Sequence, residues 1–224
     1  MDLGLKGKTV IVTGGSKGIG SGISEVFARE GANIVINYHS NLVDCESFAK
    51  KLMDKYKCRI TCVQGDIGNE TDVKKIFDVA ENFSDKVDIL VNNAGRVYTS
   101  SIIDTSIEDW NNCLNDNLTG QFLMSREFAR CTIPKKHKGW IVNVISKAAI
   151  TSTTKRRISY VSNKAGELGL THALAVELTE YGIHVNGVLP GHVRNSILKN
   201  EIENNPKKYE QRINRSPIKR LVSL

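Results

Sequence analysis

The feature that most limits the fold of this sequence is its alternation of short β-branched runs with longer helical stretches. The first run, Lys8 to Thr13, leads into a helical pattern from Gly18 to Glu30, and Gly31 suits the end of that helix. Such alternation predicts βαβ units, hence a doubly wound parallel sheet with helices on both faces. Further strands are expected at 33–37, 59–64, 87–91, 140–145 and 183–189, and further helices at about 43–56, 71–82, 107–131 and 157–180.

Length, composition and charge exclude several classes of protein. The 224 residues contain no linker composition, so we predict a single α/β domain over residues 1–224. No apolar run reaches the roughly 20 residues that cross a bilayer, and the N-terminus lacks a signal sequence. We therefore predict no membrane contact and a cytoplasmic location. The net charge of +7 comes from basic residues spread along the chain, which argues against nucleic-acid binding.

The cysteines are odd in number and scattered along the chain. This pattern predicts neither a disulfide framework nor a metal site. Cys58 and Cys62 lie an even number of positions apart around a predicted strand and could share a face, but buried thiols explain them better than a metal ion does. The five cysteines are Cys45, Cys58, Cys62, Cys113 and Cys131.

A glycine-rich turn, residues 13–20, connects the first predicted strand to the first predicted helix. Glycine lets the backbone turn sharply and approach a pyrophosphate, and the N–H groups that start the next helix then point at the anion. The spacing is Gly-x-x-x-Gly-x-Gly, and glycine turns between strand and helix are common for other reasons. We predict that a dinucleotide is bound here by Gly14, Ser16, Lys17, Gly18, Ile19 and Gly20.

The end of the second predicted strand bears on the choice of cofactor. An acidic residue there would hydrogen-bond the adenosine ribose and repel a 2′-phosphate. Here residues 37–40 contain no carboxylate, Lys17 is placed to pair with a 2′-phosphate, and His39 and Ser40 are placed to donate to it. We therefore predict a preference for NADP(H), with NAD(H) as the alternative cofactor. The alternative for His39 is an exposed loop residue with no ligand.

Two more strand ends are expected beside the cofactor. After the third strand, Asp66 is placed to accept from the adenine amino group and Ile67 to lie against the ring, although Asp66 could instead cap the turn. After the fourth strand, Asn93, Ala94 and Gly95 are small enough to allow close backbone approach, and Asn93 can bridge neighbouring strands. An asparagine–glycine turn also occurs in proteins that bind nothing.

A phenol and an ammonium follow each other at helical spacing. Tyr160 and Lys164 are four residues apart and share one face of a predicted helix, where the ammonium favours the phenolate and makes the tyrosine a usable acid or base. Ser146 directly follows the fifth predicted strand, and Asn117 lies inside a predicted helix, where asparagine costs helix propensity. Ligands of open α/β sheets bind beyond the carboxyl ends of the strands, where these residues converge. The alternatives are a surface Tyr–Lys pair and an asparagine that stabilises a kink.

In combination, these residues resemble the short-chain dehydrogenase/reductase family of the classical type, from about Leu5 to the last residue. The glycine turn, residues 93–95, the four residues just described and Pro190-Gly191 occur in family order and approximate spacing. The resemblance implies a Rossmann-type fold and an enzyme acting on CH–OH groups. It would transfer a hydride between nicotinamide and a carbonyl or alcohol carbon.

The resemblance also implies a role for each residue. Tyr160 would be the general acid or base at the substrate oxygen, and Lys164 would bind the nicotinamide ribose and make the tyrosine more acidic. Ser146 would orient the carbonyl and stabilise developing oxyanion charge. Asn117 would hold a water of the proton relay. Contacts with the nicotinamide carboxamide would come from Pro190, Gly191 and Val193.

The sequence departs from the family pattern in three places. The segment between Ser146 and Tyr160 is one residue longer than usual and is basic at residues 155–157, and Asn195 stands where the family often has threonine. The sequence ends at Leu224, whereas family members usually continue through another helix and a seventh strand. We therefore expect the final strand to be missing and the sixth strand to lie at the sheet edge. We predict a homo-oligomer, a dimer through helices 107–131 and 157–180 with little tetramer, and a substrate flap at 196–220.

Within the family, the resemblance is greatest to 3-oxoacyl-[acyl-carrier-protein] reductases of fatty acid biosynthesis and to sugar dehydrogenases such as glucose 1-dehydrogenase. The predicted partner is a small-molecule carbonyl or alcohol substrate, with an acyl-carrier-protein thioester as one candidate. The basic run 135–138 could meet an acidic carrier protein or be a solvated turn, and Tyr181 occupies a place where carrier-binding reductases can have a basic residue. A relative that binds NADP(H) without turnover is the alternative from a different class.

Overall fold

Six parallel strands form one sheet in the computed structural model, which describes residues 2–151 and 155–193 together with residues 205, 210, 213, 214 and 222. The strands are β1 (Thr9–Thr13), β2 (Asn33–Tyr38), β3 (Ile60–Gln64), β4 (Ile89–Asn92), β5 (Gly139–Val144) and β6 (Ile183–Val188). Their order across the sheet is β3-β2-β1-β4-β5-β6. The order reverses between β1 and β4, and open α/β sheets place their ligands beyond the carboxyl ends at such a point.

Helices connect the strands, as the alternation in the sequence predicted, and most predicted ends lie within two residues of the observed ones. The α-helices are α1 (Gly18–Arg29), α2 (Leu42–Tyr56), α3 (Glu70–Phe83), α4 (Ile107–Leu114), α5 (Gly120–Thr132) and α6 (Ile158–Leu178). Short 3₁₀ turns follow β5 at Lys147–Ala149 and α6 at Thr179–Tyr181.

The two faces of the sheet carry separate apolar layers. Alternate residues of a strand point to opposite faces, so Ile11 of β1 joins a layer with α3 and α5, whereas Val10 and Val12 join a layer with α1 and α2. Phe77 and Phe128 are among the largest fully buried side chains of the first layer, and burial of each contributes about 1.5–3 kcal/mol. Burial on both faces explains why the strands are continuous apolar runs.

The helix predicted over 107–131 differs from the observed one at its centre. Between α4 and α5 the chain forms a π-helical turn, Asn115–Thr119, in which one extra residue is accommodated without leaving the helical path. Single π turns inside α-helices are rare and are frequently found at functional sites. Asn117 lies in the middle of this turn.

The sheet ends at β6 within the described part of the chain, where β6 pairs only with β5. Beyond it, Val193 forms an isolated parallel bridge with Val222. Asn195 and most of the predicted flap at 196–220 lie outside the described residues. Among the described helices, none is long and apolar enough to cross a membrane.

Candidate active site

The turn between β1 and α1 adopts a backbone that glycine takes more easily than any other residue. Gly14 and Gly18 have φ angles of +61° and +54°, in the left-handed region. A Cβ atom on Gly20 would overlap the carbonyl oxygen of Gly14 and lie 2.6 Å from Nδ2 of Asn93. The turn therefore leaves no room for a side chain between its first and last glycines.

The end of β4 holds this turn in place. The Asn93 side chain donates from Nδ2 to the carbonyl oxygen of Thr13 at 2.9 Å, and the backbone N–H groups of Asn93 and Ala94 both donate to Thr13 Oγ1 at 2.9 Å. The predicted bridge between neighbouring strands by Asn93 is thus observed. These bonds join the two strand ends that flank the reversal of strand order.

The first turn of α1 lacks the groups that usually satisfy a helix N-terminus. Lys17 is its N-cap residue and makes no capping hydrogen bond, and no acidic residue lies in the first turn. The following three helices are capped by Asn41, Asn69 and Ser106, and each has an acidic residue in its first turn. The N–H groups and the positive dipole end of α1 therefore remain suited to an external anion such as a diphosphate.

A cleft of about 430 Å³ opens at the carboxyl ends of β1 to β4, and we call it the central cleft. Because the uncapped end of α1 forms part of its wall, the cleft is suited to the diphosphate of a dinucleotide. The predicted residues that line it are Gly14, Lys17, Gly18, Ile19, His39, Asp66, Ile67, Asn93, Ala94 and Gly95. Sequence reasoning had not selected five other lining residues, namely Asn37, Gly65, Arg96, Val97 and Asp116.

Several predicted cofactor residues lie outside this lining. Ser16 contacts the thiol of Cys45, Ser40 is exposed just after β2, and Gly20 packs under the glycine turn. Pro190 lies beside the residues that follow Ser146, because its carbonyl oxygen accepts a hydrogen bond from the Lys147 N–H at 3.1 Å. The segment that contains Pro190, Gly191 and Val193 therefore runs beside the turn that follows Ser146.

The charged residues at the β2 and β3 side of the central cleft are paired with one another. Lys17 Nζ lies 2.8 Å from Asp44 Oδ2, and both side chains are more than half exposed. His39 Nε2 lies 3.9 Å from Asp66 Oδ2. Asp66 also accepts from the Gly68 N–H at 2.8 Å, so the alternative interpretation of Asp66 as a turn cap is observed.

α6 presents Tyr160 and Lys164 on one face, as their spacing predicted. Lys164 Nζ lies 5.6 Å from the centroid of the Tyr160 ring, and the guanidinium of Arg157 lies 5.8 Å from the same centroid. Ser146 Oγ accepts a hydrogen bond from the Ala148 N–H at 3.1 Å. That bond uses an acceptor site of the hydroxyl, so the Ser146 O–H remains able to donate.

Asn117 is oriented by the π turn and is 1% exposed. Its Nδ2 donates to the carbonyl oxygens of Cys113 at 2.9 Å and Arg96 at 3.1 Å, whereas its Oδ1 is buried without a hydrogen-bond partner. A Cβ atom on Gly95 would lie 2.6 Å from this Oδ1 and 3.6 Å from Lys164 Nζ. Gly95, a lining residue of the central cleft, thus lies between the unpartnered Oδ1 of Asn117 and the ammonium of Lys164.

Lys164 forms a buried ion pair that sequence reasoning missed. Its Nζ lies 2.7 and 3.0 Å from the two carboxylate oxygens of Glu167, and the two residues are 5% and 2% exposed. Burial raises the pKa of Glu167, while the charge of Lys164 and its hydrogen bond oppose that rise. The only signal in the sequence was an i, i+3 acid–base pair, a pattern that usually marks a solvated helix face.

A row of buried polar side chains connects β4 to α6 behind the site, and this row was also missed. Asn92 Nδ2 donates to Asn143 Oδ1 at 2.9 Å, and Asn143 Nδ2 donates to Thr171 Oγ1 at 2.8 Å. Buried hydrogen bonds of this kind fix the relative positions of the elements that carry them. They therefore help to hold α6, with Tyr160 and Lys164, against β5.

Comparison with known proteins agrees with the fold and the residue pattern. A model of the short chain dehydrogenase family matches residues 8–206. The 3-oxoacyl-[acyl-carrier-protein] reductase FabG of Aquifex aeolicus is 34% identical over 216 residues, 95% of this chain and 85% of that protein. The 3beta-hydroxysteroid dehydrogenase 1 of Eggerthella lenta is 36% identical over 193 residues, 86% of this chain and 73% of that protein.

A solved structure is similar over the same region. L-Sorbose reductase from Gluconobacter frateurii, complexed with NADPH and L-sorbose, has a TM-score of 0.91 at 28% identity, covering 100% of this chain and 87% of that one. The chain belongs to the short-chain dehydrogenase family. It is thus a member of a family of oxidoreductases that bind a nicotinamide cofactor.

Proposed function

We propose that this chain is an NADP(H)-dependent oxidoreductase that transfers a hydride between nicotinamide and a carbonyl or alcohol carbon. The observation that carries the proposal is the continuity of the central cleft. Its wall includes the uncapped N-terminus of α1 and also Gly95, which adjoins Asn117 and Lys164. One dinucleotide could therefore contact the anion-binding helix end and the proton-transfer residues together.

Each polar side chain of the site would have a separate role in the reaction. The cofactor, when bound, supplies or accepts the hydride. Tyr160 would donate a proton to the substrate oxygen during reduction and remove one during oxidation. The Ser146 O–H would donate to the same oxygen and stabilise its developing charge. Lys164 would bind the nicotinamide ribose and stabilise negative charge on the Tyr160 oxygen.

Replacement of the tyrosine proton would depend on Asn117. A buried acceptor without a protein partner is a suitable place for an ordered water, and Asn117 Oδ1 is such an acceptor. A water bound there would lie beside Gly95, with Lys164 Nζ on its other side. We infer that this water passes protons between Lys164 and solvent.

The preference for NADP(H) is supported by the charges beside β2. No carboxylate follows β2 within residues 37–40, and Lys17 and His39 line the central cleft on that side. An adenosine 2′-phosphate would accept from both and would compete with Asp44 for Lys17. The sorbose reductase of similar structure was solved with NADPH, which is consistent with this preference.

The basic run 135–138 does not support carrier binding at the substrate entrance. It precedes β5, whereas Ser146 follows that strand, so the two lie at opposite ends of the sheet. Lys135 pairs with Glu81 at 2.7 Å and His137 hydrogen-bonds the Val87 carbonyl oxygen at 3.1 Å. These contacts favour the alternative interpretation of the run as a turn, although Lys135 and His137 are paired within the chain and not simply solvated.

Other basic residues do adjoin the catalytic side chains. Arg157 lies over the Tyr160 ring and Lys147 follows Ser146 directly, whereas the Arg96 guanidinium is paired with Asp116 at 3.5 Å. This surrounding charge favours an anionic carbonyl compound, such as a 3-oxoacyl thioester on an acidic carrier or a sugar acid, over a neutral sugar. A neutral sugar or polyol is the second candidate because of the similarity to sorbose reductase.

Turnover with a substrate panel tests the proposal. We expect NADPH oxidation with one or more members of a set of 3-oxoacyl thioesters, small diketones, keto acids and sugars. Arg157→Gln should raise KM for an anionic substrate about tenfold, the effect of one lost charge-assisted hydrogen bond, and should change KM for a neutral one much less. Tight NADPH binding without turnover of any member would instead indicate a non-catalytic relative.

We also propose that two copies associate through α4–α5 and α6. Phe122 and Tyr181 line a groove between α5 and α6 and are more than 40% exposed, and Val176 of α6 is 83% exposed. A second copy would cover this surface. Light scattering should show a dimer, with little tetramer, and Val176→Asp should shift it towards monomer. A stable tetramer, or a dimer insensitive to Val176→Asp, would contradict this assembly.

A further inference from the structure

Two of the five cysteines are in direct contact beside the central cleft. Cys45 lies in the first turn of α2 and Cys62 lies in β3, at the edge of the sheet. Their sulfur atoms are 2.7 Å apart. A disulfide bond has a length of about 2.05 Å, so a small movement of either side chain would suffice to form one.

The two thiols have different surroundings. Cys45 is fully buried, whereas Cys62 is partly exposed. The hydrogen bond donated by Cys45 lowers the pKa of Cys62 against the opposing effect of burial, and the same hydrogen bond, with burial, raises the pKa of Cys45. The carboxylate of Glu46 acts against ionisation of both. A partly exposed thiol whose pKa is lowered by a second thiol in direct contact with it is the usual arrangement of a redox-sensitive pair.

The remaining cysteines lack these features. Burial raises the pKa of Cys113 to about 11 and that of Cys131 to about 12, and burial also raises the pKa of Cys58. All three are free. Because the thiolate is the reactive form, oxidation should select Cys62 over the other three.

We propose that Cys45 and Cys62 form a redox-active pair that a peroxide converts into a disulfide. The Cys62 thiolate attacks one peroxide oxygen, the O–O bond breaks, and Cys62 becomes a sulfenic acid while the second oxygen leaves as hydroxide and is protonated to water. The Cys45 thiol then attacks the Cys62 sulfur, the S–S bond forms, and the sulfenic oxygen leaves as water with the Cys45 proton. The two thiols lose two electrons, which the peroxide gains.

The pair is positioned to affect the cofactor site. The Ser16 hydroxyl, in the glycine turn, hydrogen-bonds the Cys45 sulfur, and the neighbouring Asp44 pairs with Lys17. A disulfide sulfur is a poorer hydrogen-bond acceptor than a thiol sulfur, so oxidation would weaken the hydrogen bond from the Ser16 hydroxyl to Cys45. We expect NADPH to bind about two- to tenfold more weakly, the effect of one neutral hydrogen bond. This coupling rests on the proposed function, whereas the disulfide does not.

The experiment is peroxide titration of the reduced 224-residue chain, read by intact mass and peptide mapping. The wild-type chain should lose the mass of two hydrogen atoms, the linked peptides should contain Cys45 and Cys62, and dithiothreitol should reverse the change. Cys58→Ser and Cys131→Ser are matched controls and should form the same bond. Cys45→Ser should stop at a sulfenic acid on Cys62, trapped by dimedone, and Cys62→Ser should form neither product.

Absence of the disulfide, a bond that uses another cysteine, or sulfenic acid on Cys45 in Cys62→Ser would overturn the proposal. Since Cys45 is fully buried, Cys45→Ala serves as a second variant, and a thermal melt confirms that each variant is folded. NADPH titration of the oxidised and reduced chains then tests the coupling. An unchanged affinity overturns the coupling, and failure of both forms to bind NADPH contradicts the proposed function while leaving the mass result intact.

Discussion

The two sides of the central cleft are constructed in different ways. The side beside β1 and α1 consists mainly of backbone from one continuous segment, residues 13–20, in which the lack of side chains is the essential property. At Gly95, on the other side, the cleft adjoins Asn117 of the π turn and Lys164 of α6, side chains that approach one another only in the folded chain. Binding and chemistry should therefore respond to different substitutions, and each side can be altered separately.

The largest difference between the effect on kcat and the effect on NADPH affinity is expected for a substitution of Tyr160. Tyr160→Phe removes only the proposed proton donor, so kcat should fall by about 10²–10⁴-fold, the usual contribution of general acid–base catalysis, while NADPH affinity stays unchanged. Steady-state kinetics and fluorescence titration measure the two quantities. Lys164→Ala is the comparison variant and should impair both. A Tyr160→Phe enzyme that keeps more than about a tenth of wild-type kcat would refute the assignment.

Substitutions near α6 should also change the free energy of unfolding, because Lys164 and Glu167 form a buried ion pair there. Glu167→Leu leaves a buried ammonium without its partner, which should lower the free energy of unfolding by about 3–5 kcal/mol. The double variant Lys164→Met/Glu167→Leu should recover most of that loss, since neither charge remains. Urea denaturation measures all three chains.

A pair with the same spacing but with one exposed partner is the control for this experiment. Glu127 and Arg130 are also three residues apart, at 3.3 Å, but the Arg130 side chain is 52% exposed. Glu127→Gln should therefore change the free energy of unfolding by less than about 1 kcal/mol. Equal losses for Glu127→Gln and Glu167→Leu would show that burial of the Lys164 pair has no energetic consequence.

On the cofactor side, the sharpest test is a single added methyl group. Gly20→Ala introduces a Cβ atom against the Gly14 carbonyl oxygen, and overpacking of this kind costs about 1–3 kcal/mol. NADPH binding should weaken by about tenfold or more because the turn must open. Gly169→Ala, in α6 where a Cβ atom meets nothing within 4 Å, should leave NADPH affinity unaltered. Similar affinities for the two variants would contradict a tight turn at residues 14–20.

The smallest expected effect concerns the choice between cofactors. The wild-type chain should bind NADPH at least about tenfold more tightly than NADH, the effect of a charge-assisted hydrogen bond. Lys17→Ala should remove most of that difference without changing NADH affinity. Asp44→Asn should increase it, since Lys17 loses its partner at 2.8 Å. Equal affinities of the wild-type chain for the two cofactors would rule out the preference.

Much of this arrangement was predictable from the sequence because it depends on short-range patterns. Apolar runs and helical periodicity predicted all six strands and their order of appearance, and the i, i+4 spacing placed Tyr160 and Lys164 on one face. The glycine turn was recognisable because a strand led directly into it. In each case the relevant residues are neighbours in the chain, so local geometry alone determines how they are arranged.

Only the tertiary structure decided the remaining features, because they depend on which segments meet. The sequence contained Glu167, Asp44 and the two cysteines, but nothing periodic indicated that Glu167 would be buried with Lys164 or that Cys45 would touch Cys62. The π turn that orients Asn117 likewise emerged from packing. Burial and contact between distant segments are set by the whole core, whereas a local pattern specifies only the element to which a residue belongs.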